Sequence, residues 1–509
     1  MKKVDLNGRP LHFIGVGGIG MSALAQIVVQ RRLPVSGSDI KSNHITKRLE
    51  SLGTKIFYSQ DAANLELISP SVSNNAEIID SEINRKVVRF SAQSSAVTKN
   101  LKTTTALRDE KDHQSSSNSP QVICSTAIAD SNPEYQAALK LGYPIFHRSD
   151  LLAALIDQYQ GVAVSGTHGK TTTSSLVGYV LLQAGLDPTI IIGGEVDAWQ
   201  GNARAGQGEY LVAEADESDG SLVKHAPAIG IITNIELDHP DKYSSLEEVI
   251  DVFQTFAQQC GLVIGCLDDQ ILKDNIPIDI SYSLNEQSNA DYIAREISYH
   301  AQGSQAQIWE RGKLLGSLDL QLLGNHNLSN ALAAIAVGRK VGLEFSVIAE
   351  ALATFSGTKR RFELKGEANE IKFIDDYAHH PSEIKVTLES AKIKTQESES
   401  KRVVAIFQPH RFSRTETFLA EFAESFENAD VVIITSIYSA GETNHSNISG
   451  QDLAEKISNR VLQTHFHEDL SSIPKFLKED ILQPGDLVLF LGAGNLNQYI
   501  DKTIELYQK

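Results

Sequence analysis

The stretch SGTHGKTTT at residues 165–173 constrains this chain more than any other. It follows an apolar run, GVAVSG, that reads as a buried strand, and from Lys170 to about Ala184 the sequence reads as a helix. A strand, a glycine turn and a Lys-Thr pair opening a helix form a phosphate cradle. Backbone N–H groups and the helix dipole face the anion, a lysine neutralises the β/γ phosphates, and a hydroxyl reaches Mg2+. Gly166, Thr167, His168, Gly169, Lys170, Thr171 and Thr172 are therefore candidates for ATP binding, with Lys170 also a candidate catalytic group. Val164 stands where the standard loop has its first glycine, so this loop is the shorter form GTHGKT.

Such a loop needs a parallel sheet around it, and the chain supplies α/β alternation throughout. With 509 residues, about three domains are expected. The first covers 1–158: a strand at LHFIG (11–15), a helix to about Arg31, a strand near 34–37, another at 121–124, and helices near 133–141 and 149–159. Within it, residues 66–119 are rich in Ser, Asn, Thr and charge and read as a mobile insertion. The second covers 159–356, with strands ending at Glu214 and Thr233, antiparallel strands over 280–323, and helices near 325–341 and 345–354. The third covers 357–509, with strands IKFIDD, RVVAIFQ, DVVIITSIY and DLVLFLGAG and a surface loop at 396–401.

A net charge of −18 argues against a nucleic-acid partner. The three cysteines, Cys124, Cys260 and Cys266, form no CxxC pair and suit a reducing compartment. No apolar run reaches membrane-spanning length, and the N-terminus is too polar for a secretory signal. A cytoplasmic protein with no membrane partner is expected.

Two acidic clusters follow the phosphate loop, EADESDGS at 214–221 and ELDHPDKY at 236–243. Ligands of open α/β sheets bind beyond the carboxyl ends of strands. Glu214 and His239 are thus candidate metal ligands with Thr171, and candidate catalytic groups. A second glycine loop, GVGGIG, places Gly15, Gly17, Gly18 and Gly20 before a helix, with Asp39 about 20 residues later at a strand end, the position of an acid that binds ribose. That pattern fits NAD or another diphosphate ligand. The third region gathers GTKRRFE, DDYAHHPSEI and FQPHRFSRT. Its arginines suit carboxylate or phosphate, and His379, His380 and His410 suit orientation or proton transfer.

GVGGIGMSALA, GTHGKTTT, EADESD, DHPD, GNHNLSNALAA, KRRFE, DDYAHHP and QPHRFSRT occur in the order seen in the Mur ligases. The chain resembles that family along its length except for roughly 60–120, and is most similar to its alanine-adding branch. The resemblance implies three domains: a Rossmann-like N-terminal one for the UDP sugar, a central P-loop ATPase domain, and a Rossmann-like C-terminal one. They are expected to close over their substrates. The first glycine loop would then hold UDP-N-acetylmuramate, together with Ser125 and Ala127. Asn327, Asn330, Arg361 and Asp376 would serve ATP, Asp376 also in catalysis. Tyr377, His380, His410, Arg411 and Arg414 would surround L-alanine. Two departures stand out: Ala378 replaces the usual glycine of DDYGHHP, and Thr126 the usual second serine of SSAI. The implied reaction uses ATP and Mg2+ to make an acyl phosphate that the alanine amine attacks, with His380 or His410 as the base.

Overall fold

The computed structural model describes residues 3–68, 119–396 and 400–508. Most of the insertion expected at 66–119, residues 69–118, and the centre of the loop expected at 396–401, residues 397–399, lie outside them. The chain divides into two compact units, Met1–Ala154 and Leu155–Lys509.

The first unit is built on a five-stranded sheet in the order Lys55–Phe57, Val35–Ser38, Leu11–Ile14, Gln121–Cys124, Ile145–His147. All its pairings are parallel. The order reverses between Leu11–Ile14 and Gln121–Cys124, so the loops after these two strands open the crevice where such sheets take ligands. Leu11, Phe13 and Ile14 are fully buried, as a strand covered on both faces requires. His12, equally buried, is accommodated by its bonds: one ring nitrogen lies 2.9 Å from Ser36 Oγ and the other 2.9 Å from Glu134 Oε1.

The second unit contains two sheets. The larger has ten strands in the order Lys313–Leu320, Gly303–Glu310, Tyr292–His300, Ile280–Ser283, Val263–Cys266, Ile229–Ile232, Gln160–Ser165, Tyr210–Glu214, Thr189–Val196, Gly201–Arg204. The expectation of antiparallel strands over 280–323 holds for the last three of that stretch. It fails for Ile280–Ser283, which runs parallel to both neighbours. Ile280, Tyr282 and Ser283 are buried inside the sheet, so this segment takes the register of the parallel core. The GGEV stretch ending the strand at 189–196 carries too little apolar periodicity to be read as strand from sequence.

Gln160–Ser165 lies between Ile229–Ile232 and Tyr210–Glu214. Its carboxyl end therefore delivers the phosphate loop beside Glu214 and Thr233. The helix Lys170–Gln183 packs on the helix Asn325–Lys340, both nearly buried along their length. Its hydroxyl run is accommodated by local bonds: Ser174 Oγ and Ser175 Oγ donate to Thr171 O at 3.1 and 2.6 Å.

The smaller sheet has six strands: Glu363–Ala368, Ile371–Asp376, Asp486–Leu491, Arg402–Phe407, Val431–Thr435, Thr464–His467. All pair in parallel except the first two. The polar edge strand Glu363–Ala368, with a register shift between Leu364 and Gly366, carries no alternation that would reveal it. Among the described residues, no helix is long and apolar enough to cross a membrane.

Candidate functional site

Gly166 has φ +129°, and a Cβ there would meet Thr233 Oγ1 at 2.0 Å. Gly169 has φ +82°, and a Cβ would sit 2.7 Å from Asn330 Oδ1. Both glycines are thus dictated by conformation and by close approach. The loop is pinned to the strand end at 233–236: His168 N–H donates to Asn234 Oδ1 (2.8 Å), Thr233 Oγ1 to His168 O (2.6 Å), and Glu236 N–H to Thr167 Oγ1 (2.8 Å). Asn330 Oδ1 accepts from Thr173 Oγ1 at 3.0 Å, tying the second helix to the first.

Lys170 Nζ donates to Gly166 O (2.7 Å), Thr167 O (3.1 Å) and both oxygens of Glu217 (3.0 and 2.9 Å). Burial opposes its charge, but Glu217 and Asp216 outweigh that and raise its proton affinity. Glu217 is 1% exposed, and burial pushes its carboxyl up to about 7 against the pull of Lys170. His239, at φ +55°, brings Nε2 to 3.8 Å from Glu217 Oε1. Ligand atoms of Asp216, Glu217 and His239 converge within 4.8 Å of one another. Glu214 is anchored differently: its Oε2 accepts from Gly193 N–H at 2.7 Å, and a Cβ on Gly193 would lie 2.6 Å from Oε1. Of the acidic cluster the sequence singled out Glu214, whereas Asp216 and Glu217 are the members that pair with Lys170, and Glu217 stands 3.8 Å from His239, which has Asp238 at 3.6 Å on its other flank. All three members sit in EADESD, but which one folds inward depends on the turn after the strand.

A cavity of about 570 Å³ opens beside the loop. His168, Gly169, Thr172, Asn327 and Asn330 line one side, and Arg361, Asp376 and Glu383 the other. It unites most of the residues expected to hold ATP. Asn327 Nδ2 donates to Leu323 O at 2.8 Å. Asp376, 5% exposed, accepts N–H bonds from Phe362 and Ala378, both at 2.7 Å. Burial raises its carboxyl to about 6, with Arg361 opposing. Arg361 lies over the Tyr377 ring, 5.3 Å from its centroid. Ala378, the departure from the family's glycine, is itself 1% exposed.

The residues expected around the amino acid gather nearby. His380 is 2% exposed, against His168 (4.7 Å between ring centroids) and Phe418 (4.9 Å). Burial and the neighbouring His168 lower it to about 4. His410 stacks on Tyr438 at 5.7 Å and is lowered to about 3 by burial and by His379. Both imidazoles are therefore neutral near pH 7 and weak as bases. The two arginines already carry acidic partners. Arg414 sends Nε and Nη2 to Asp238 Oδ1 at 2.9 and 2.8 Å, in a pair with side chains 2% and 6% exposed. Burial opposes ionisation of Asp238, but Arg414 holds its carboxyl far below the usual range. Arg411 Nη1 bonds Asp241 Oδ2 at 2.6 Å and Glu442 Oε1 at 3.2 Å. DHPD thus supplies counter-ions for FQPHRFSRT.

In the N-terminal unit, Asp39 Oδ2 accepts the Gly17 N–H at 2.8 Å, and Oδ1 the Lys41 N–H at 3.1 Å. The carboxylate expected at a ribose braces the glycine loop. Ser125 and Ala127 lie on the loop after the adjacent strand, where Ile128 Cδ1 comes 3.2 Å from a Cβ placed on Gly15. The Gly18 and Gly20 end of the Ile19–Gln30 helix has a cationic neighbour the sequence did not flag. Arg148 Nη1 lies 3.3 Å from a Cβ placed on Gly20. Nothing local in HRSD marks it, since the contact is made through the fold.

Three family models match in succession: "Mur ligase family, catalytic domain" over 10–160, "Mur ligase middle domain" over 164–338, and "Mur ligase, glutamate ligase domain" over 360–494. The UDP-N-acetylmuramate–L-alanine ligase of Gloeothece citriformis is 57% identical over 504 residues, covering 99% of each chain. That of Nostoc punctiforme is 58% identical, covering 99% of this chain and 98% of its own. A crystal structure of the UDP-N-acetylmuramate–alanine ligase of Thermotoga maritima superposes with a TM-score of 0.75 at 28% identity, covering 98% of this chain and 99% of the other. A murein peptide ligase from Psychrobacter arcticus, at 22% identity and a TM-score of 0.65, shares the fold, covering 98% of each chain. The chain belongs to the Mur ligase family.

Proposed function

We propose that this chain joins L-alanine to UDP-N-acetylmuramate at the expense of ATP, through an acyl phosphate, in peptidoglycan precursor synthesis. The observation that carries the reading is the phosphate loop facing a cavity completed by Arg361 and Asp376, in a chain whose full-length relatives bear that activity in their names. We assign residues 1–158 to the UDP sugar, 159–356 to ATP and 357–509 to the amino acid. Cys124, Cys260 and Cys266 are free thiols, which suits the reducing, cytoplasmic setting we infer.

In the first step a carboxylate oxygen of the sugar's lactoyl group attacks the γ-phosphorus and ADP departs. Two anions must meet, so positioned cations lower the barrier. Lys170 supplies one by exchanging its bonds to Gly166 O and Thr167 O for phosphate oxygens. Arg361 supplies another from across the cavity. We propose Thr171, Glu214 and His239 as metal ligands, and the adjacent oxygens of Asp216 and Glu217 suit a hard cation. Mg2+ held there would neutralise phosphate charge. In the second step the neutral alanine amine attacks the acyl carbon and expels phosphate. Tyr377, His380, His410, Arg411 and Arg414 would frame that amino acid, the arginines loosening from Asp241 and Asp238 to meet its carboxylate. His380 or His410 would take the proton, a role their low basicity allows only transiently.

Phosphate release from ATP, measured with UDP-N-acetylmuramate and either L-alanine, a tripeptide or no acceptor, tests the reading. Release that requires L-alanine is expected. Release with the tripeptide alone would assign the chain to a different branch of the family.

A further inference from the structure

Glu383, absent from the motif-based assignment, sits in the first turn of the helix Pro381–Gln396 and is 12% exposed. Its two oxygens do different things. Oε2 accepts the N–H groups of His379 (3.0 Å) and His380 (3.3 Å) and faces His379 Nδ1 at 3.1 Å, so it caps its own helix. Oε1 faces outward into the cavity, 3.5 Å from His168 Nδ1 on the phosphate loop and 3.6 Å from Arg361 Nη1. A residue serving only as a cap would have no use for that second pair of contacts.

The other side of His168 is also tied down. Its Nε2 lies 3.1 Å from Glu236 Oε2, and Glu236 Oε1 accepts from Ser382 Oγ at 2.7 Å. Ser382 and Glu383 are neighbours on one helix. The loop histidine is thus clamped between two carboxylates, one borne by that helix and the other fastened to it. Burial disfavours a charged His168, yet Glu236 and Glu383 outweigh it and raise the imidazole to about 9. The clamp is therefore an ionic one at neutral pH.

We propose that Glu383 is a positioning residue for the nucleotide: through Oε1 it sets His168 of the phosphate loop and Arg361 of the opposite wall in one fixed geometry around ATP. The coupling runs between the two sheets of the second unit, and adds to the bonds by which Thr233, Asn234 and Glu236 already pin the loop. This rests on the assignment of ATP to the loop.

The full chain and its variants Glu383→Gln, Glu383→Asp, His168→Gln and the Glu383→Gln/His168→Gln double variant decide it. Turnover and a fluorescent ADP analogue's affinity are measured beside thermal midpoints. Loss of one charge-assisted contact predicts an ATP KM raised at least about tenfold in Glu383→Gln, with lower kcat. The KM for UDP-N-acetylmuramate is expected to stay nearly unchanged, the thermal midpoint to fall as the ion pair with His168 weakens, and Glu383→Asp to recover part of both losses. The double variant is expected to be no worse than the poorer single one, because the two side chains act as a unit. A lower midpoint with unchanged ATP KM and kcat would reduce Glu383 to a cap and overturn the proposal. Losses that multiply in the double variant would overturn it as well. If Glu383→Gln does not fold, an unaltered ATP KM in Glu383→Asp has the same force. A wild-type chain that releases no phosphate with these substrates would count against the proposed reaction alone. The ADP analogue would still report on Glu383, weakened about tenfold in the variant if the coupling exists and unchanged if it does not.

Discussion

At the scale of single residues, the phosphate loop is where chemistry and conformation leave least freedom. A methyl group on Gly166 meets both a left-handed backbone and Thr233. Gly166→Ala is expected to cost at least about 2 kcal/mol and to abolish binding of a fluorescent ADP analogue, checked by thermal unfolding and titration. His168 gives a prediction with a definite sign. Its folded proton affinity, about 9, exceeds the ordinary value of 6.5. The stability it contributes is therefore complete below about pH 6.5 and is lost as pH rises through 9. Urea midpoints of the wild type should fall over that window, and those of His168→Gln should fall less. Much of this loop was legible in the sequence, because glycines, a lysine and a hydroxyl at fixed spacing express local geometry. Glu217, Glu383 and Arg148 were not, because their roles come from burial and from partners 47, 215 and 128 residues away in sequence, at Lys170, His168 and Gly20. Arg411 and Arg414 were legible as cations but not as cations already paired.

At the scale of elements, buried polar pairs join segments that hydrophobic packing alone would leave in loose register. Arg414 and Asp238 join the short helix Phe412–Thr417 to the loop after Ile229–Ile232. Removing one partner strands a buried charge, so Arg414→Ala is expected to cost about 3–5 kcal/mol. The double variant Arg414→Met/Asp238→Asn should be more stable than Arg414→Ala, which denaturant titration of all three chains checks. In the N-terminal unit, Glu134, on the helix Pro133–Lys140, accepts from Ser38 Oγ and from Asn64 Nδ2 (2.9 Å) and meets His12, joining two strands to the short helix Ala63–Glu66. Glu134→Ala leaves these groups unsatisfied at about 1–3 kcal/mol each. The loss should appear in the unfolding of that unit, followed by hydrogen exchange, while exchange in Leu155–Lys509 stays as in the wild type. Sequence periodicity found the helices Lys170–Gln183 and Asn325–Lys340 but not the helix Leu246–Gln259 or the strand Thr189–Val196. It misassigned the direction of Ile280–Ser283 and passed over Glu363–Ala368 and Thr464–His467. Those segments are short, and their state is set by the strands beside them.

At the scale of the whole molecule, three sheets carry three loop systems. The alternation of strand and helix was sufficient to anticipate a parallel, doubly wound architecture. The strand order that creates the crevice of the first unit, and the sharing of one cavity by the two sheets of the second, are products of tertiary assembly. The chemistry proposed for that assembly makes a demand that a single isotope experiment meets. If the lactoyl carboxylate of UDP-N-acetylmuramate attacks ATP and the amine then expels phosphate, one carboxylate oxygen must leave with that phosphate. With oxygen-18 in both positions of the carboxylate, mass analysis of the phosphate released during L-alanine addition should find one heavy oxygen per phosphate. Product formation with phosphate free of the label would contradict the acyl phosphate, and with it the account of how Lys170 and Arg361 act.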